Sequence, residues 1–319
     1  MRPLRFVALG DSLTEGVGDP VGDGWRGWAA LLADGIAQGP GECGEFDEFD
    51  EPVKAVAAGE FGESVESPGS VEFTNLALSG SQTRDVLERQ LPAGLALRPD
   101  VVSVVIGVND TLRCTFDIQA VAARLDTVYS AFTEQGAVLL TACLPDPGAM
   151  LGLPGALARP LARRQRAVNA VVHALSERHG AVHLHASEGA WLTDRAMWSA
   201  DRLHPGERGH RQLAVRFHAL LTARGLATGS APSPEPEFPV PTTSASLWWL
   251  ATAGTGWVAR RCTDLLPQLL TLAVDEMRHR ARGTSARLDL RASAAVSAAL
   301  TALSAASATS VAEQRPDAV

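Results

Sequence analysis

Four short stretches carry the residue types that acyl transfer requires. The first is Gly10-Asp11-Ser12-Leu13, directly after an apolar run at residues 4–9. A serine at the carboxyl edge of a buried strand is a candidate nucleophile, because that edge of an open α/β sheet is where ligands bind. Serine is a weak nucleophile at neutral pH and needs a base to take its proton. His204 is the candidate base, and Asp201 stands three residues before it in Asp201-Arg202-Leu203-His204-Pro205. In a turn leading into a helix that spacing lets a carboxylate reach the imidazole, fixing its tautomer and stabilising the imidazolium. Negative charge developing on a carbonyl oxygen calls for preorganised donors. The Ser12 N–H, the N–H of Gly80 in Asn75-Leu76-Ala77-Leu78-Ser79-Gly80, and the side-chain amide of Asn109 in Gly107-Val108-Asn109-Asp110 are on offer. Taken singly, each residue also has a plain structural reading: a helix cap for Ser12 and His204, a turn for Gly80 and Asn109.

Together, and in this order, the four blocks resemble those of the SGNH (GDSL) hydrolase family over about residues 1–225. The resemblance implies a serine esterase with Ser12, Asp201 and His204 as catalytic residues. It assigns the oxyanion hole to Ser12, Gly80 and Asn109, and it calls for no metal or organic cofactor. The same residues would serve an acyltransferase or a carbohydrate deacetylase. A non-catalytic binding protein is the rival from another class. Asp11 and Asp110 read as supporting or turn residues. The Gly-x-Ser-x-Gly elbow of α/β-hydrolases is absent, because position 14 is Thr.

Positioning these blocks requires strands that alternate with helices. Apolar runs at residues 4–9, 71–78, 101–106, 137–141 and 181–184 read as five strands. Helical periodicity appears over 25–36, 83–91, 118–132, 161–179 and from Pro205 through Leu221, with 144–160 as a Pro/Gly-rich loop. Right-handed βαβ crossovers then give a parallel sheet covered on both faces. The expectation is a flavodoxin-like three-layer α/β/α sandwich at residues 1–228, with a helical appendage at the C-terminal end.

The net charge of −8 disfavours a general nucleic-acid-binding role. Residues 42–66 hold nine acids against Lys54, so they carry that whole charge and read as an acidic surface insertion within 38–70. Five prolines from Pro232 to Pro241 mark a linker at 229–246. Residues 247–283 follow, with an apolar helical stripe at Leu266, Leu269, Leu270, Ala273 and Met277; the Ala/Ser-rich tail at 284–319 is expected to be disordered. Trp248 and Trp249 could touch a membrane surface peripherally, but docking on the catalytic domain or pairing with another copy is the better reading, since Gly254 and Gly256 weaken an interfacial helix. Cys43, Cys114, Cys143 and Cys262 form no metal-like spacing and read as reduced thiols. His183 and His185 share a strand face and could form a metal pair, but with no evident third ligand a core or surface role is the better reading. Arg113 could meet an acidic substrate, but a place on a helix surface is the better reading. The N-terminus has neither a long apolar segment nor a cleavage site, and no 18-residue uncharged apolar run occurs, so the expected compartment is the cytoplasm. The expected partner is a small-molecule or lipid ester.

Overall fold

A computed structural model describes residues 2–37, 71–227, 229–238 and 253–313, with backbone alone over 253–266 and 306–313. The acidic insertion at 38–70 and residues 239–252, with Trp248 and Trp249, lie outside the described residues.

The strands are β1 (Leu4–Gly10), the short hairpin β2 (Pro20–Val21) and β3 (Gly24–Trp25), β4 (Val71–Asn75), β5 (Val101–Val105), β6 (Val138–Cys143) and β7 (Val182–His185). Five of them form one parallel sheet in the order β4-β1-β5-β6-β7. This is the flavodoxin-like order expected from the sequence. Strand order reverses between β1 and β5, which opens a crevice at their carboxyl ends. Ser12 follows β1 and Asn109 follows β5, so both lie at that switch point.

Side chains alternate across the sheet. Val7, Leu9, Val102 and Val104 face one core, shared with Val121, Leu125, Tyr129, Phe132, Val168 and Val171. Phe6, Ala8, Val101 and Val105 face the other, with Trp28, Leu32, Leu213 and Phe217. The helices that supply these residues are α2 (Gly27–Ala37), α6 (Ile118–Glu134), α8 (Gly155–Arg178) and α9 (Glu207–Ala223). Shorter pieces lie between them: α1 (Ser12–Glu15), α3 (Thr83–Asp85), α4 (Leu91–Ala96), α5 (Val108–Thr111) and α7 (Pro147–Met150). Residues Val86–Gln90 form a π-helical turn joining α3 to α4.

Three expectations change. Pro205 does not open a helix; it bridges to Trp198, Gly206 caps α9, and the helix starts at Glu207. Helix α8 starts at Gly155, inside the predicted loop, and takes Pro160 into its early turns. The tail expected to be disordered forms α11 (Ser285–Glu313), which follows α10 (Ala253–Ala281). Ala299 is buried there, and Ala295, Val296, Leu300 and Leu303 pack against the core beside α6 and α8. Their i, i+1, i+4, i+5, i+8 spacing makes one apolar face, so small residues suffice because the partner helices approach closely.

The predicted stripe on α10 also divides. Ala273 is buried and Leu269 faces the body, while Leu270 and Met277 are exposed. Arg163 of α8 pairs with the buried Glu276 of α10 at 3.1 Å and with Asp289 of α11 at 2.7 Å, fixing both helices to the sandwich. Residues 229–238, read as part of an extended linker, run against the body. Glu237 accepts from Arg26 (2.6 Å) and Arg211, and the Ser233 carbonyl accepts from Arg211 (3.1 Å). No described helix is long and apolar enough to cross a membrane.

Candidate active site

Ser12 stands just past the end of β1, on the first residue of α1. The chain turns sharply there. Gly10 has φ +155°, and a Cβ at that position would meet the Val105 carbonyl at 2.4 Å, so only glycine fits. The buried Gln90 clamps the same residue: its Oε1 accepts from the Gly10 N–H (2.8 Å) and its Nε2 donates to the Gly10 carbonyl (2.9 Å). The π-helical turn that ends at Gln90 thereby fixes the approach to Ser12, a use typical of such turns.

His204 comes from the loop before α9 and is 6% exposed. The Ser12 hydroxyl donates to His204 Nε2 at 2.8 Å. The His204 Nδ1–H donates to Asp201 Oδ2 at 2.7 Å. Asp201 Oδ1 accepts from the Leu203 N–H (2.9 Å), the His204 N–H (3.0 Å) and the Ser199 hydroxyl (2.7 Å). Burial pushes the Asp201 carboxyl up, but the hydrogen bonds and charge from His204 outweigh it and hold the group at about 2. Arg202 adopts φ +57°, a left-handed conformation uncommon outside glycine, and this kink lets the carboxylate fold back onto the two following N–H groups. With Asp201 ionised, Nδ1 carries the imidazole proton and Nε2 is left to accept from Ser12. The three predicted residues therefore form one continuous hydrogen-bonded chain.

The donors are arranged less simply. Gly80, at φ +85°, lies in the turn Leu78–Ser81, which is tied to β1 by the Leu78 N–H donating to the Gly10 carbonyl (3.3 Å). Asn109 lines the pocket beside Ser12, but its amide donates to Asp11 Oδ2 and to the Ser81 carbonyl, each at 3.0 Å. Both of its N–H groups are thus held by neighbours. Asp11 caps α1 through the Leu13 N–H (3.1 Å), and burial pushes its carboxyl up to about 6. Asp110 is buried nearby and accepts from the Thr83 N–H and hydroxyl, which locks the Asn109 loop to α3. Gln90, Thr83 and Ser81 were not legible as site residues, because their partners (the Gly10 backbone, the Asp110 carboxylate and the Asn109 amide) lie 80, 27 and 28 positions away.

Residues 34–212 match the GDSL-like lipase/acylhydrolase family. The chain belongs to that family. The matched span holds Gly80, Asn109, Asp201 and His204, and Ser12 precedes it. GDSL-like acylhydrolases are ester-bond hydrolases, and this chain is one. Among solved structures, a putative GDSL-like lipase from Parabacteroides merdae is 17% identical, with TM-score 0.52, covering 70% of this chain and 97% of its own. A variant of the acetylxylan esterase Axe2 from Geobacillus stearothermophilus is 19% identical, with TM-score 0.50, covering 68% and 94%. Both likenesses are of fold. No curated protein matches the chain by sequence.

The GDSL-like site opens into a cavity of about 270 Å³ beside Ser12 and His204. Its walls are apolar, including Leu112, Leu144, Met150, Trp191, Trp198 and Leu269. Trp191 and Trp198 stack at 4.9 Å between ring centres and form one side. Leu269 belongs to α10, which is anchored nearby by the Cys114 N–H donating to Gln268 Oε1 (2.7 Å). Helix α10 of this acylhydrolase thus contributes to the pocket, a role that periodicity alone did not reveal. Arg113 is not among the lining residues, so the pocket as seen makes no use of it.

One buried histidine ties α9, the helix that follows His204, to α2 and to the loop after Ser12. His210 Nδ1 accepts from the Trp28 N–H (3.2 Å) and its Nε2–H donates to the Val17 carbonyl (3.1 Å), which requires the neutral ring. Burial lowers its pKa to about 4. In the unfolded chain the group titrates near 6.5. Its contribution is therefore complete above pH ~6.5 and is lost as pH falls towards 4, by about 3 kcal/mol. Asp11, raised to about 6, acts with the opposite sign, so the effect is isolated by difference. Urea unfolding of wild type and His210→Gln should show a stability gap that shrinks by about 3 kcal/mol between pH 7 and pH 4. A gap independent of pH contradicts the assignment.

Proposed function

We propose that this chain is a serine acylhydrolase that works through an acyl-enzyme and prefers apolar acyl chains of several carbons. The observation that carries the reading is His204, hydrogen-bonded at once to Ser12 and Asp201 at the mouth of an apolar cavity.

Ser12 Oγ attacks the ester carbonyl carbon while His204 Nε2 takes its proton. Asp201 stabilises the imidazolium that results. The oxyanion is met by the Ser12 and Gly80 N–H groups, and it competes with Asp11 and the Ser81 carbonyl for one amide hydrogen of Asn109. His204 then gives its proton to the leaving alkoxide, which departs as the alcohol. The acyl group remains on Ser12, with its chain among Leu112, Leu144, Met150 and Trp191. Water, activated by His204, completes the hydrolysis. Removing Asn109 should lower kcat by ~10²–10³-fold with little change in KM, as for a donor used mainly in the transition state.

Each methylene transferred from water to the cavity contributes about 0.8 kcal/mol. The value of kcat/KM should therefore rise about fourfold per carbon from p-nitrophenyl acetate until the cavity is full. Leu269→Trp should cut hydrolysis of the longer esters by ~10-fold or more and leave the acetate ester unchanged. A specificity that peaks at acetate, in wild type and variant alike, would remove the acyl-chain assignment.

A further inference from the structure

Across the sheet from the pocket, the carboxyl ends of β6 and β7 present Thr141 with Cys143, and His183 with His185, on the face that α8 covers. Cys143 and His185 are register partners, as are Thr141 and His183. The sequence showed two histidines without a third ligand. The fold supplies Cys143 from the neighbouring strand and brings His173 over from α8. One ligand atom from each of Cys143, His183 and His185 lies within 4.8 Å of the others. The His173 ring centre is 5.2 Å from those of both His183 and His185.

Hydrogen bonds fix which nitrogen of His183 is available. The Ser176 hydroxyl donates to the Val172 carbonyl (2.6 Å), so its oxygen accepts from Thr141 (2.7 Å). Thr141 has then spent its proton and must accept from the His183 Nδ1–H (2.9 Å). The His183 Nε2 lone pair is left pointing at Cys143 Sγ, 3.1 Å away. A ring nitrogen turned outward by an N–H bond on its far side is the usual second-shell arrangement of a metal-binding histidine. His173 adds an independent sign: its Nδ1 is buried without a hydrogen-bond partner among the described residues. A buried acceptor or donor left unpaired is costly unless something fills the gap.

We infer that Cys143, His183 and His185, with His173 as the fourth ligand, form a Zn²⁺-binding site separate from the Ser12 centre. Thiolate and imidazole together select Zn²⁺ and its neighbours Co²⁺ and Ni²⁺ over Mg²⁺ or Ca²⁺. Bonds of ~2.0–2.3 Å place tetrahedral ligands roughly 3.3–3.7 Å apart. The Cys143–His183 pair is already near that range, and His185 is exposed and able to turn inward. Binding forms the Zn–S and Zn–N bonds and releases the Cys143 thiol proton to solvent. The ion would cross-link β6, β7 and α8 just behind Leu144 and Ala186, which line the pocket on the opposite face. Its role is therefore to stiffen that wall, and the ester chemistry at Ser12 does not pass through it.

The full chain, stripped with EDTA, is titrated with Co²⁺ and then with Zn²⁺. One equivalent of Co²⁺ should bring up a thiolate-to-metal charge-transfer band and tetrahedral d–d absorption, and Zn²⁺ should abolish both. Cys143→Ser should lose the charge-transfer band, and His185→Ala, at an exposed position, should weaken binding by at least ~100-fold. Zn²⁺ should raise the melting temperature of wild type and of Ser12→Ala equally, and not that of His185→Ala. No binding by wild type tighter than about 10 µM, binding without the thiolate band, or equal affinity in wild type and His185→Ala would each overturn the site.

Discussion

Ser12→Ala should lower ester turnover by at least ~10⁴-fold while the protein stays folded. The hydroxyl donates to His204 Nε2 at 2.8 Å, which places its oxygen where the imidazole can take its proton. Its loss leaves the pocket and the backbone donors in place, so binding and oxyanion stabilisation alone remain to accelerate attack by water. Alanine suits the first turn of a helix, and Ser12 is only half-buried, so stability should change little. Wild type and variant are compared with p-nitrophenyl butyrate and by thermal unfolding. Turnover within ~10-fold of wild type, in a folded variant, would place the nucleophile elsewhere.

Asp201→Asn should cost nearly as much, ~10³–10⁴-fold in kcat. The carboxylate holds four donors: the His204 Nδ1–H, two backbone N–H groups and the Ser199 hydroxyl. An amide offers one oxygen. If that oxygen keeps the backbone N–H groups, the NH₂ faces His204 Nδ1 and forces the proton onto Nε2. The imidazole then no longer accepts from Ser12. Stability should fall as well, because a carboxyl held at about 2 in the fold and near 3.9 when unfolded contributes about 3 kcal/mol at neutral pH. That contribution is present above pH ~3.9 and is lost as pH drops towards 2. A folded Asp201→Asn protein with unchanged kcat would show that the tautomer is set some other way.

The five-strand sheet was legible because each strand falls in a short apolar run with glycine or proline close by, most clearly in the β-branched residues 101–106. The chain Ser12–His204–Asp201 was legible because chemistry restricts those positions to particular side chains. The same does not hold for the residues that brace them. Gln90 is recognised only through the Gly10 backbone it clamps, and His210 only through the Trp28 and Val17 groups it bridges. Backbone partners leave no mark on the sequence at the far end of the bond. Helix α11 was misjudged for a different reason: alanine and serine bury little area each, and their burial against α6 and α8 is a property of the assembled core. Asn109 shows the limit of motif reading, since the motif names the residue but not the Asp11 and Ser81 groups that hold its amide.

The most direct measurement is acid quenching of the enzyme during turnover of a p-nitrophenyl ester, followed by mass spectrometry of its peptides. One acyl group per chain is expected, on the peptide that contains Ser12, and none on His204→Ala under the same conditions. An acyl group on another residue, or full turnover with no covalent adduct formed, would contradict an acyl-enzyme on Ser12.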